Sequence, residues 1–189
     1  MTVVITAIAS VVVAFVAGLF AYRNSRNLSL RQDQLVRVNT QLEEFYGPIL
    51  ALTEASNAVW VAFQERHEHG RAYFTDAPLS AEQRDVWTHW IRTVFMPMNR
   101  RVFETIVTKA HLLEGDEMPD CLLEFCAHVA GYEAVVKRWE GGDYSAISPL
   151  LEHPGQDFLD YARESFVALR KRQRTLLANQ ARGRLTSMQ

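Results

Sequence analysis

The stretch 35-LVRVNTQLEEFYGPILALTEASNAVWVAF-63 decides the fold. Its apolar residues step as Leu35, Val38, Leu42, Phe45, Ile49, Leu52, Val59 and Phe63, and Leu28 extends the series upstream. Steps of three and four place these side chains along one face of a helix, with Arg31 and Ser56 in the two weak positions of the heptad. Tyr46, Leu50 and Trp60 widen the face beyond the seam of a two-stranded coiled coil, which predicts a globular helix bundle. Pro48, after Gly47, has no amide hydrogen to donate and its ring crowds the preceding turn, so a kink is expected there.

Downstream the same period recurs three times. Gly, Asp and Pro between Gly70 and Leu79 break the pattern, and Ser80 with Gln83 three residues later reads as a capping box. The second helix carries Trp87, Trp90, Ile91, Val94, Phe95, Val102, Ile106 and Leu113, is expected to bend at Pro97 and to end near Gly115. A third runs from about Pro119 to Gly141 and Gly142 on Leu122, Phe125, Cys126, Val129, Tyr132, Val136 and Trp139. Asp157 is placed to cap a last helix bearing Leu159, Ala162, Phe166, Leu169 and Leu176. No strand pattern or internal repeat interrupts this series. Trp60 and Trp139, near helix ends, are expected to be the exceptions among otherwise core aromatics. Short connections make sequential antiparallel packing the default, and the apolar stripes satisfy one another, so residues from about Leu35 onward are expected to fold without what precedes them.

Upstream, Val3 to Tyr22 is an uncharged run of 20 residues, long enough as a helix to span roughly 30 Å. No Lys or Arg precedes it, it exceeds the apolar region of a cleaved signal peptide, and no small-x-small cleavage site follows, which predicts a retained transmembrane anchor. The fold expected is therefore all-α: a transmembrane helix followed by an antiparallel four-helix bundle with kinked helices. Residues 1–27 are assigned to the anchor and juxtamembrane segment, 28–180 to the bundle and 181–189 to a flexible tail. Positive charge follows the run and none precedes it, so the single-pass chain is expected in a cell inner membrane with its C-terminal domain cytoplasmic. Ser10, Ala14 and Gly18 recur every four residues, the spacing of a small-residue face through which two such helices self-associate, although small residues are common in any spanning helix.

The net charge of −2 conceals an asymmetry. Residues 1–37 carry four arginines against Asp33, residues 170–189 carry six cations and no acid, and the middle is left at −11. Antiparallel packing would return the last helix toward the membrane. Arg23, Arg26, Arg170, Lys171, Arg172 and Arg174 are accordingly expected to contact anionic lipid. The alternative is a solvated basic helix end that complements the helix dipole. Nucleic acid is not an expected partner, because the domain that bears the basic tail is acidic.

Candidate chemistry is sparse. His67 and His69 flank Glu68, but residues two apart on a helix face away from each other and no full ligand set accompanies them. Asp85 with His89, and Glu124 with His128, are pairs four apart and candidates for orienting an imidazole or holding a metal, the second with Cys121 on the same face. Each reads more simply as a helix-surface pair. The two Glu-x-x-His spacings of a di-iron bundle are missing, as are phosphate-binding glycine loops, the nucleophile elbow and the zincin motif. No cofactor is implied. Cys121 and Cys126, five apart on a helix, point in different directions and predict no disulfide.

The run Leu42, Glu43, Glu44, Phe45, Tyr46, Gly47, Pro48 resembles a segment that follows the anchor in small bacterial single-pass inner-membrane proteins without an assigned activity. The resemblance implies location and no catalytic residue. Three functions are compatible with these residues. A membrane-tethered helical interaction or scaffold protein, serving a protein partner, is the leading expectation. An oligomerising membrane effector or assembly subunit is the second, and an enzyme with an unrecognised site, for which no signature speaks, is the third.

Overall fold

Pro48 and Pro97 remove two amide donors from the middle of otherwise helical sequence. The chain widens by one residue just before each of them instead of breaking. In a computed structural model that describes residues 2–66 and 79–186, and the side chains of 15–23, 25–66 and 79–181, helix α1 (Thr2–Gln41) passes through a π turn at Leu42–Tyr46 into α2 (Gly47–Arg66). Likewise α3 (Ala81–Trp90) passes through a π turn at Ile91–Phe95 into α4 (Met96–Thr108). In each π turn the hydrogen bond reaches over five residues, Gly47 N–H donating to the Leu42 carbonyl and Met96 N–H to that of Ile91, and the proline follows one residue later. The extra residue also turns consecutive side chains inward. Phe45 and Tyr46 are both buried, and so are Phe95 and Met96. The two kinks expected at the prolines thus take the form of π turns.

Two further helices complete the chain, α5 (Asp120–Glu140) and α6 (Gly155–Thr186), and a 3-10 turn at Ala110–Leu112 follows α4. The protein is all-helical, with no strand among the described residues. It divides into two units, one of residues 40–169 and one formed by the residues up to Asn39 together with those from Arg170.

In the larger unit the helices pair in a ring, each antiparallel to its neighbours. Lys109 is bonded to Glu44 while Trp60 meets Phe95, which runs α2 against α4. Arg100 pairs with Glu133 and the Arg92 guanidinium lies over Trp139, which runs α4 against α5. Phe125 stacks on Phe158 at 4.4 Å between α5 and α6. Arg163 pairs with Glu54, closing α6 onto α2. The core between them holds Phe45, Ile49, Phe63, Ile106, Leu122, Phe158 and Leu169, all essentially fully buried. Each such side chain contributes roughly 1.5–3 kcal/mol through the surface it removes from water.

The capping box forms as expected: Ser80 Oγ accepts from Gln83 N–H at 3.1 Å and Gln83 Oε1 accepts from Ser80 N–H at 2.9 Å. Other boundaries differ. α4 stops at Thr108, short of Gly115, because the following turn is captured by the first helical segment: Gln41 Nε2 donates to the Leu112 carbonyl and Glu114 N–H to Tyr46 Oη. α6 begins at Gly155, at φ +58, and not at a cap on Asp157; His153 Nδ1 accepts the Gly155 amide, and Asp157 sits in the first turn, where its charge favours the helix dipole. Trp139, an expected exception, is only 2% exposed and belongs to the core.

The smaller unit pairs α1 with the later part of α6. Gln173 Nε2 donates to Asn39 Oδ1 at 2.7 Å, and Gln180 meets Leu28, Gln32 and Leu35 around a shallow groove, so the two segments run antiparallel. Leu28, expected in the core, is 54% exposed, because here only one helix accompanies α1. Within this pair Arg170, Lys171, Arg172 and Arg174 lie at the Asn39 end, all exposed. Asn39 is 17 residues beyond Tyr22, about 25 Å of helix at 1.5 Å per residue. Among the described residues no helix is long and apolar enough to cross a membrane; the side chains of residues 3–14 of the uncharged run, including Ser10 and Ala14, lie outside them.

Candidate functional site

Between α2, α4, α5 and the start of α6 the larger unit leaves a cavity of about 640 Å³. Its origin lies in the aromatic sequence of the helices that surround it. Trp60 from α2, Trp87 from α3, Phe95 from the second π turn, and Phe125 and Phe158 from α5 and α6 are too large and too rigid to interdigitate as aliphatic side chains do. Trp60 meets Trp87 edge to face at 6.2 Å and Phe95 at 6.0 Å, while Phe125 and Phe158 stack face to face.

The outer wall is the α5–α6 loop. Three ring nitrogens from the helices hold it, each donating to a loop carbonyl: Trp139 Nε1 to Ala146 at 2.7 Å, Trp87 Nε1 to Ile147 at 3.0 Å and His128 Nδ1 to Leu151 at 2.9 Å. At its start Asp143 accepts from Arg138 and from Ser145 N–H, and its carboxyl is held down to about 2, chiefly by Ser145 and then by Arg138. Close approach of Pro149 to α5 requires Gly131, where a Cβ would sit 2.9 Å from the proline ring. Leu150, at the apex, is fully exposed.

Two imidazoles share this wall. His128 is 6% exposed and its ring lies 5.1 Å from that of His153, nearly perpendicular to it. Phe125 and Phe158 crowd the His153 ring, at 5.4 and 6.1 Å between ring centres, although the residue as a whole is exposed. Burial depresses His128 below the usual histidine range, partly offset by its bond to the Leu151 carbonyl. Burial, and next the neighbouring His128, push His153 down to about 4. Both rings are neutral at pH 7. Tyr132, 5.1 Å from His128, is pushed well up by burial and stays a phenol. Polar groups at the opposite side are Asn99, Ser56, Asn57 and Thr53, whose hydroxyl is buried with no hydrogen-bond partner among the described residues.

The sequence-derived candidates are distributed unevenly around this cavity. His128 is in the wall, but it engages the loop and His153; Glu124 is exposed on the helix surface. Cys121 and Cys126 are free, and burial pushes both thiols up, away from the thiolate form that binds metal. Among the described residues no group of three His, Cys, Asp or Glu is placed to hold a metal ion. Asp85 and His89 are exposed on α3. His67 and His69 lie outside the described residues. Nothing in the local sequence marks His153; it reaches α5 only because the loop returns it there.

No protein-family model, curated protein or solved structure matches the chain.

Proposed function

We propose that this chain is a membrane-tethered helical interaction protein, held at the cytoplasmic face of a cell inner membrane and offering its helical domain to a protein partner. The observation that carries this reading is the uncharged run of 20 residues followed at once by Arg23 and Arg26. Those two arginines stand within about one turn of Tyr22 and are the cations best placed for anionic headgroups. The cluster Arg170, Lys171, Arg172 and Arg174 is about 25 Å further along an upright α1, some three Debye lengths at physiological salt. Its placement suits an acidic protein partner better than lipid. Retention of the full chain in the membrane pellet after alkaline carbonate extraction, with a reporter at Gln189 active only in the cytoplasm, is the expected result. Release into the supernatant removes the tether, and periplasmic activity reverses the orientation.

A second reading, an oligomerising membrane effector, is favoured by a separate observation. Leu28, Leu30, Val36 and Leu177 of the two-helix unit are each about half exposed or more, which a second copy would cover. Around Gly18 the described atoms leave open space, and Ser10 and Ala14 continue its face in sequence. Replacing Ala14 and Gly18 by Leu is expected to reduce crosslinking of the full chain in membranes; unchanged crosslinking excludes this face.

A further inference from the structure

The cavity in the larger unit has a donor and acceptor pattern fixed by its own backbone contacts, and this goes beyond the tether and does not depend on it. A carbonyl only accepts, so the contact of His128 Nδ1 with the Leu151 carbonyl places the proton of this ring on Nδ1 and leaves a lone pair on Nε2. The Gly155 amide only donates, so His153 Nδ1 is the acceptor and its proton sits on Nε2. The two imidazoles, in perpendicular contact and both lining the cavity, therefore hold opposite tautomers: His128 Nε2 is an acceptor and His153 Nε2–H a donor.

The remaining wall restricts what can complement that pair. Trp60, Trp87, Phe95, Phe125 and Phe158 supply flat ring surfaces, and among the described residues Glu152 on the loop is the one formally charged residue that lines the space. An ion would lose its hydration with no buried counter-charge in return, whereas an uncharged ring loses little and gains stacking contacts. The volume of about 640 Å³ falls in the range of small-molecule sites, and the unpartnered Thr53 hydroxyl at the wall is a further group that a bound molecule would satisfy.

We infer that this cavity is a binding site for an uncharged planar aromatic or heteroaromatic molecule carrying one hydrogen-bond donor and one acceptor, received by His128 Nε2 and His153 Nε2–H respectively.

Benzimidazole at pH 7.5 is a suitable probe: flat, neutral, with one N–H and one ring lone pair. 1-Methylbenzimidazole keeps the lone pair and loses the donor, and the 1,3-dimethylbenzimidazolium cation loses both and is charged. Equilibrium dialysis of the full chain in nanodiscs, against empty nanodiscs to subtract partitioning into lipid, reads binding directly. Saturable one-to-one binding of benzimidazole is expected, about tenfold weaker for the methyl compound, as for one lost neutral hydrogen bond, and none for the cation. In His128→Asn the amide still donates to the Leu151 carbonyl but the Nε2 acceptor is gone, so benzimidazole and its methyl derivative should bind equally and at the weaker level. Binding no greater than to empty nanodiscs overturns the inference, as does the same methyl penalty in wild type and variant. If the variant does not fold, the wild-type series decides alone: equal affinity for the neutral and cationic probes sinks the assignment.

Discussion

His128 and His153 hold most of the information that a single residue gives about this protein. Unfolded, each titrates near 6.5; folded, both are depressed, His153 to about 4. Above pH 6.5 neither state carries the proton and stability is insensitive to these groups. As pH falls from 6.5 toward 4 the unfolded chain takes up protons that the folded chain refuses, so stability drops across that window and levels off below it. His153→Asn keeps an acceptor for the Gly155 amide and removes the titration. Denaturant unfolding measured from pH 7 to pH 4 should therefore show a shallower decline for this variant than for the parent, and equal slopes would mean that His153 titrates normally in the fold. The sequence marks His128 but pairs it with the wrong neighbour. Spacing along a helix finds Glu124, four residues away, yet the ring is buried and turns toward a loop more than twenty residues downstream, which no local pattern specifies.

At the scale of the element, the two π turns explain what the prolines leave open. Pro48 and Pro97 announce a disturbance, but the sequence does not say whether the helix bends, breaks or widens; the apolar face settles it, because widening by one residue keeps Phe45, Tyr46 and Ile49 all inward. Gly47 is the residue that permits the first turn. A Cβ there would land on the Leu42 carbonyl oxygen, the acceptor of the Gly47 amide itself, and that atom is backbone with nowhere to yield. Gly47→Ala is expected to destabilise the protein by about 2 kcal/mol or more, against a smaller cost for Pro48→Ala, which restores a donor. Thermal or denaturant unfolding of the two variants checks the order, and a silent Gly47→Ala would contradict the geometry. The start of α3 was more legible than the end of α4. Ser80 and Gln83 cap through residues three apart in sequence, whereas α4 is cut short at Thr108 by Gln41 and Tyr46, which lie some seventy residues away.

For the whole molecule, periodicity gave the helical class and the sequential antiparallel order, since stripes and short connections are both written in the chain. The cavity was not legible, because the same apolar period describes residues that close a core and residues that line an opening. The basic run at 170–174 is plain in the sequence, but only the register set by Gln173 on Asn39 reveals how far along α1 it falls. A fragment beginning at Leu35 should be strongly helical by circular dichroism and melt cooperatively; a non-cooperative melt would mean that the residues before it complete the fold. The α5–α6 loop is fastened by its backbone. Trp87, His128 and Trp139 grip it by carbonyl oxygens, which every amino acid possesses, so the side chains of Ser148, Leu150 and Leu151 take no part in holding it. Trp139→Phe should cost about 1–3 kcal/mol in unfolding measurements, while exchanges at those three loop positions should be nearly neutral. The outer wall of the cavity is thus free to drift in composition while its path stays fixed, so that selection among related chains can retune what the cavity admits without renegotiating the fold.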